Sequence, residues 1–211
     1  MPLVYQQNIN EDTVLALWEI EEEEAFFNGQ IHLVPEIRHP HKRLQHLAGR
    51  YLLTHIEEGF PVSLIQIADS RKPFLENGAF HFSISHCGNY AAAIVSKSFR
   101  VGIDIEAISP KANKLRDKFL TTNEQILLWD EMKNENLAAT CGWSIKEALF
   151  KWYALGGVDF KADLDIFSLD FSPASLQYKG EAKVRKGRGR ILPFEGRVLP
   201  ELCLTFTVSR N

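Results

Sequence analysis

Between Phe80 and Glu106 the chain carries three strand-length apolar runs separated by only a few residues. Phe80, Phe82 and Ile84 alternate with His81, Ser83 and Ser85, the period of two expected of a half-buried strand. Asn77-Gly78 gives a turn signal just before that run. Residues 90–96 (YAAAIVS) and 101–106 (VGIDIE) continue the series, with Ser98-Phe99-Arg100 as a short connection. A different period rules elsewhere. In residues 41–56 (HKRLQHLAGRYLLTHI), Leu44, Leu47, Ala48, Tyr51 and Leu52 recur at helical spacing, and Gly59 and Pro61 stop the element. Sheet and helix are thus both required, which excludes an all-α or all-β chain.

The remaining elements extend this order. Residues 13–20 (TVLALWEI) read as a strand, and the acidic run Glu21–Glu24 suits the first turn of a helix, where the dipole favours negative charge. Residues 62–67 read as a short strand. Helices are expected over 111–119, from a Thr122 cap through Met132, and over roughly 136–155 up to Gly156-Gly157. Residues 164–171 and 199–209 read as strands with more strand material between them, and the basic stretch Lys179 to Arg190 as a solvated hairpin. The sum is an α+β protein of two halves, 1–100 and 101–211, with no repeat and no flexible linker.

Composition narrows the function classes. A chain of 211 residues can bury a substantial core, and a net charge of -3 gives no support for a nucleic-acid binder. Cys87, Cys141 and Cys203 are odd in number, widely spaced and form no CxxC pair, which argues against a disulfide framework or zinc site and for a reducing compartment. The N-terminus has no basic region followed by an apolar stretch, and no apolar run is long enough to cross a bilayer. A cytoplasmic protein without membrane contact is expected.

Four segments carry chemistry. In Gly102-Ile103-Asp104-Ile105-Glu106 a strand points Asp104 and Glu106 to one face. Two such carboxylates are tolerable on a wet surface, the better reading of the pair alone, or around a hard cation. In Trp143-Ser144-Ile145-Lys146-Glu147-Ala148-Leu149-Phe150-Lys151 a helix makes Glu147 and Lys151 neighbours, which alone reads as an exposed ion pair. Joined to Asp104 and Glu106, Glu147 would complete a three-carboxylate magnesium site with substrate phosphate. Ser85-His86, at the end of FSISHCG, can hydrogen-bond phosphate oxygens, and Lys72, ahead of Pro73, is held extended and able to present its ammonium.

RKP, SISH, VGIDIE and WSIKEALFKW, in that order over residues 71–151, resemble the 4′-phosphopantetheinyl transferases of the longer, surfactin-synthetase type. The resemblance implies two similar α+β halves related by a pseudo-twofold, with the active site in the cleft between them. It implies Asp104, Glu106 and Glu147 as magnesium ligands, with Glu147 also accepting a serine proton. Lys151 would hold the pyrophosphate of coenzyme A, Ser85 and His86 the nucleotide phosphates, and Lys72, beside Pro73, the adenosine side. Arg43 would meet the 3′-phosphate, with Arg50, Arg38 and Lys42 as alternatives in an uncertain register. Catalytic groups would be Glu147, Lys151 and His86, and the partners coenzyme A and an apo acyl or peptidyl carrier protein, with the enzyme a monomer. Cys87 departs from the pattern, standing where the family usually has a second serine. The competing reading is a magnesium-dependent hydrolase of a nucleotide pyrophosphate or phosphodiester, which the same carboxylates would serve.

Overall fold

In the computed structural model, which describes residues 2–32 and 36–210, the chain divides into two compact units, one running to Val101 and one from Gly102 to Ser209. The first contains β1 (Leu3–Asn10), β2 (Thr13–Glu19), α1 (Glu24–Ile31), α2 (Pro40–Ile56), β3 (Ile65–Ile67), β4 (Pro73–Leu75), β5 (His81–Cys87) and β6 (Tyr90–Ser96). Its main sheet is antiparallel in the order β1-β2-β6-β5. The apolar stripe of α2 supplies Leu47, Ala48, Leu52 and Leu53 to a core with Trp18, Phe82, Ala91 and Ala93 from the sheet. α2 lies close on β5: a Cβ added to Gly49 would stand 2.6 Å from Ile84 Cγ2. Gln45 Nε2 also donates to the Gly88 carbonyl at 2.7 Å, tying the helix to the β5–β6 turn.

The second unit contains β7 (Arg100–Ala107), whose first residues close the first unit, then α3 (Pro110–Leu115), α4 (Thr122–Met132), α5 (Glu135–Tyr153), β8 (Leu164–Ser172), β9 (Gln177–Val184), β10 (Arg190–Val198) and β11 (Leu202–Ser209). The sheet order is β7-β11-β10-β9-β8. Ile145, Leu149 and Trp152 of α5 share a core with Ile166, Tyr178, Ala182, Leu192, Phe194 and Cys203. Gly102 fixes how closely α5 approaches β7: a Cβ there would lie 2.1 Å from the Ala148 carbonyl oxygen and 2.8 Å from the Trp152 amide nitrogen. Both are backbone atoms, so no side-chain movement could make room.

The α+β class is borne out, and several boundaries move. β1 was not anticipated, because LVYQQNIN is a half-exposed edge strand whose polar residues mask its alternation. β4 was missed as well; at three residues it is too short for a period to register. The stretch from 62 begins as a tight helical turn, Val62–Leu64, before β3. The helix expected over 111–119 stops at Leu115 and tightens into a second such turn, Arg116–Lys118. Thr121, not Thr122, caps α4, because a capping box joins its side chain and backbone to Glu124. α5 ends at Ala154, in the left-handed region, before the glycine pair is reached. β5 is not half-buried by alternation, since Ser83 and Ser85 are buried as Phe82 is. The basic stretch from Lys179 is indeed a hairpin, turning at Gly187 and Gly189 with both φ positive.

Candidate active site

In the second unit β7 carries Asp104 and Glu106, and α5 carries Glu147 and Lys151. A wet surface does not describe this pair of acids, because Asp104 is only 2% exposed, on a strand closely overlain by α5. Lys151 is no exposed partner for Glu147 either; its Nζ reaches across to Asp104 Oδ1 at 2.6 Å. Glu106 accepts a hydrogen bond from the Trp143 indole Nε1 at 2.9 Å. Burial, then the charge of Asp104, hold the Glu106 carboxyl above the usual carboxylate range, while the Trp143 bond, Lys151 and Lys111 pull it back. Burial pushes Glu147 up to about 7; Lys151 opposes the shift, and Asp104 and Glu106 add to it. The three acids therefore share one electrostatic neighbourhood and repel one another.

Their donor set fits a hard divalent cation: every candidate ligand atom is a carboxylate oxygen, and a cation would relieve the repulsion that adds to burial in raising Glu106 and Glu147. Among the described residues the acids are not gathered into a ready-made coordination shell.

The other sequence candidates lie in the first unit. Ser85 and His86 are consecutive on β5 and so point to opposite faces, Ser85 buried and His86 exposed. His86 shares its face with Ile84, against which Gly49 of α2 packs. Its charge helps lower His46 to about 4, after burial and Arg50. Arg50 is half-buried on α2 with one long contact to the His46 carbonyl at 3.5 Å, and desolvation pulls its guanidinium down to about 10. Arg43 is already occupied: its Nε donates to both carboxylate oxygens of Glu24, at 2.9 and 2.8 Å, and its Nη1 to the Ile37 carbonyl at 2.8 Å. Lys72 directly precedes Pro73, the first residue of β4, and accepts a hydrogen bond from Ala68 N at its carbonyl. After burial, its charge and that of Arg100 lower the proton affinity of His81.

Residues 100–196 match the 4′-phosphopantetheinyl transferase superfamily. Curated relatives carry the same theme. Enterobactin synthase component D of Salmonella typhi is 34% identical over 116 residues, 54% of this chain and 49% of that protein. A phosphopantetheinyl transferase of Thraustochytrium is 32% identical over 147 residues, covering 59% of this chain and 50% of its own. A 4′-phosphopantetheinyl transferase of Bacillus pumilus is 31% identical over 146 residues, covering 66% and 59%. The chain spans about half the length of the first curated relatives it matches. The resemblance to phosphopantetheinyl transferases read from RKP, SISH, VGIDIE and WSIKEALFKW is borne out, and the matched stretch contains all four charged groups of the second-unit site.

Three residues of consequence escaped the sequence reading. Lys146 is fully buried, and its Nζ is held by Glu124, the Phe160 carbonyl and the Leu164 carbonyl. Its position among Ile145, Ala148 and Leu149 on an apolar helix was the available signal. Trp143 gave a weaker one, its spacing of one helical turn before Glu147. His46 gave none, since its partners come from the packing of α2 on β5.

Proposed function

We propose that the protein transfers the 4′-phosphopantetheine arm of coenzyme A to a serine hydroxyl of an apo acyl or peptidyl carrier protein, with release of 3′,5′-ADP. The observation that carries this reading is the coincidence of the family match, residues 100–196, with the convergence of Asp104, Glu106, Glu147 and Lys151 in one unit.

Asp104, Glu106 and Glu147 would hold magnesium, which neutralises charge on the pyrophosphate when bound. Glu147 accepts the serine proton as the hydroxyl oxygen attacks the phosphorus bearing pantetheine. Lys151 steadies the pyrophosphate oxygens and the departing bisphosphate by charge. The chain supplies no covalent intermediate, so its work is to position groups and offset charge. His86, exposed at the end of β5, binds nucleotide phosphate, with Ser85 buried on the opposite face of the strand, and Lys72, presented by Pro73, binds the adenosine side. For the 3′-phosphate the reading favours Arg50 over Arg43, because Arg43 would first have to leave Glu24. Among the described residues no helix is long and apolar enough to cross a membrane, and the reading places the enzyme in the cytoplasm as a monomer.

The test mixes purified protein, coenzyme A, magnesium and an apo acyl carrier protein, and records the carrier's intact mass. The expected result is a gain of one phosphopantetheine arm, lost with chelator and in Asp104→Ala and Glu147→Ala. Cleavage of coenzyme A without gain on any carrier would overturn the transferase in favour of the magnesium hydrolase.

A further inference from the structure

We propose that Trp143 is a positioning residue of the acidic site: its indole fixes the carboxylate of Glu106, and the buried Lys146–Glu124 pair holds that indole in place through Phe160. The inference rests on the reading of Glu106 as a ligand of a divalent cation and adds what sets its direction.

Glu106 stands near the end of β7, half-buried, on a side chain with several rotatable bonds. Its Oε1 accepts from Trp143 Nε1 at 2.9 Å. An indole offers one donor in a fixed direction, so the position of the ring dictates where that oxygen lies. The ring packs against two phenylalanines, with Phe119 edge-on at 5.0 Å and Phe160 tilted at 5.1 Å between centroids. Phe160 sits in the segment between α5 and β8, which has no ladder of its own. A turn around Asp159, whose carboxylate accepts from the Lys161 and Ala162 amides, shapes its backbone, and Lys146 holds it from the core side, its Nζ donating to the Phe160 carbonyl at 2.8 Å and to the Leu164 carbonyl at 2.7 Å. Glu124 anchors the ammonium at 2.7 Å and is itself held by the amides of Thr121 and Ile166. A continuous set of contacts thus runs from a fully buried ion pair to one ligand oxygen. Packing alone would be served by phenylalanine at 143; the N–H aimed at a carboxylate is what a purely apolar role leaves unexplained.

The experiment titrates Mn2+ into the full-length protein, without coenzyme A or carrier, and follows free Mn2+ by electron paramagnetic resonance. Trp143→Phe keeps the ring and removes the donor. Its dissociation constant should rise about tenfold, the usual scale for losing a group that orients a metal ligand, with the melting temperature unchanged. Phe160→Leu should shift the constant the same way by less. Partial unfolding would lower the number of sites and leave the constant alone, so the constant is the readout. A Trp143→Phe constant equal to wild type, in protein whose Mn2+ binding Asp104→Asn abolishes, overturns the positioning role and leaves the metal site standing. Wild-type protein that binds no Mn2+ overturns both.

Discussion

Lys146 Nζ lies 2.7 Å from Glu124 Oε1, and the two side chains are 0% and 1% exposed. Removing one partner of such a pair strands the other charge without solvent. Lys146→Met should therefore cost about 3–5 kcal/mol in urea unfolding. Adding Glu124→Gln, which discards the stranded charge and keeps an acceptor for one of the two amides, Thr121 or Ile166, that the carboxylate serves, should recover part of that loss. A double variant no more stable than the single one would show that the lost carbonyl contacts, not the charge, dominate.

Two glycines of the second unit should respond differently to a methyl group. At Gly102 a Cβ meets the Ala148 carbonyl oxygen and the Trp152 amide nitrogen, and backbone cannot swing aside. At Gly142 it meets Leu128 Cδ1 at 2.7 Å and the Leu120 methyls, the far ends of flexible side chains. Gly102→Ala should cost about 3 kcal/mol, at the upper end for overpacking, and Gly142→Ala clearly less, by chemical denaturation. Since Gly102→Ala forces α5 off β7, it should also slow the proposed transfer reaction more than Gly142→Ala does.

His46 makes part of the stability pH-dependent. Its folded pKa is about 4, below the ordinary 6.5, because of burial, then Arg50 and His86. Between those values the unfolded chain binds more protons than the folded one, so stability rises with pH across the window and is lost as pH falls through it. The full shift corresponds to about 3 kcal/mol, and partial exposure reduces this to about 2. His46→Asn should flatten the unfolding free energy between pH 6.5 and 4 by that amount relative to wild type.

Arg50 and Arg43 can be separated by substrate. Arg50→Gln should raise KM for coenzyme A about tenfold, the loss of one charge-assisted phosphate contact, and leave KM for 3′-dephospho-coenzyme A unchanged. Arg43→Gln should change neither, since its guanidinium serves Glu24. The opposite pattern would return the 3′-phosphate to Arg43.

The helices and strands that pack on a core were legible because burial imposes their periods: α2, α5, β6 and β7 lie within a few residues of their expected places. The acidic set was legible through resemblance, each of its segments taken alone favouring a solvated face. What stayed hidden depends on distances between segments remote in sequence. Lys151 selects Asp104, 47 positions away, over its helical neighbour Glu147. The partners of Lys146 stayed hidden because its acceptors, the Phe160 and Leu164 carbonyls, belong to main chain that carries no residue-type signal.

The sheet order has a consequence for biosynthesis. β7 holds Asp104 and Glu106 at one end of the second sheet, and its neighbour there is β11, Leu202–Ser209. A nascent chain that has just released β7 from the ribosome has nothing to zip it against until nearly a hundred further residues are made. Closing so long a loop is slow relative to local helix formation. On this topology α4 and α5 should form before the acidic strand is framed, an order that pulsed hydrogen exchange during refolding would read. Chains interrupted anywhere before Leu202 should lack the site altogether, however well their helices fold.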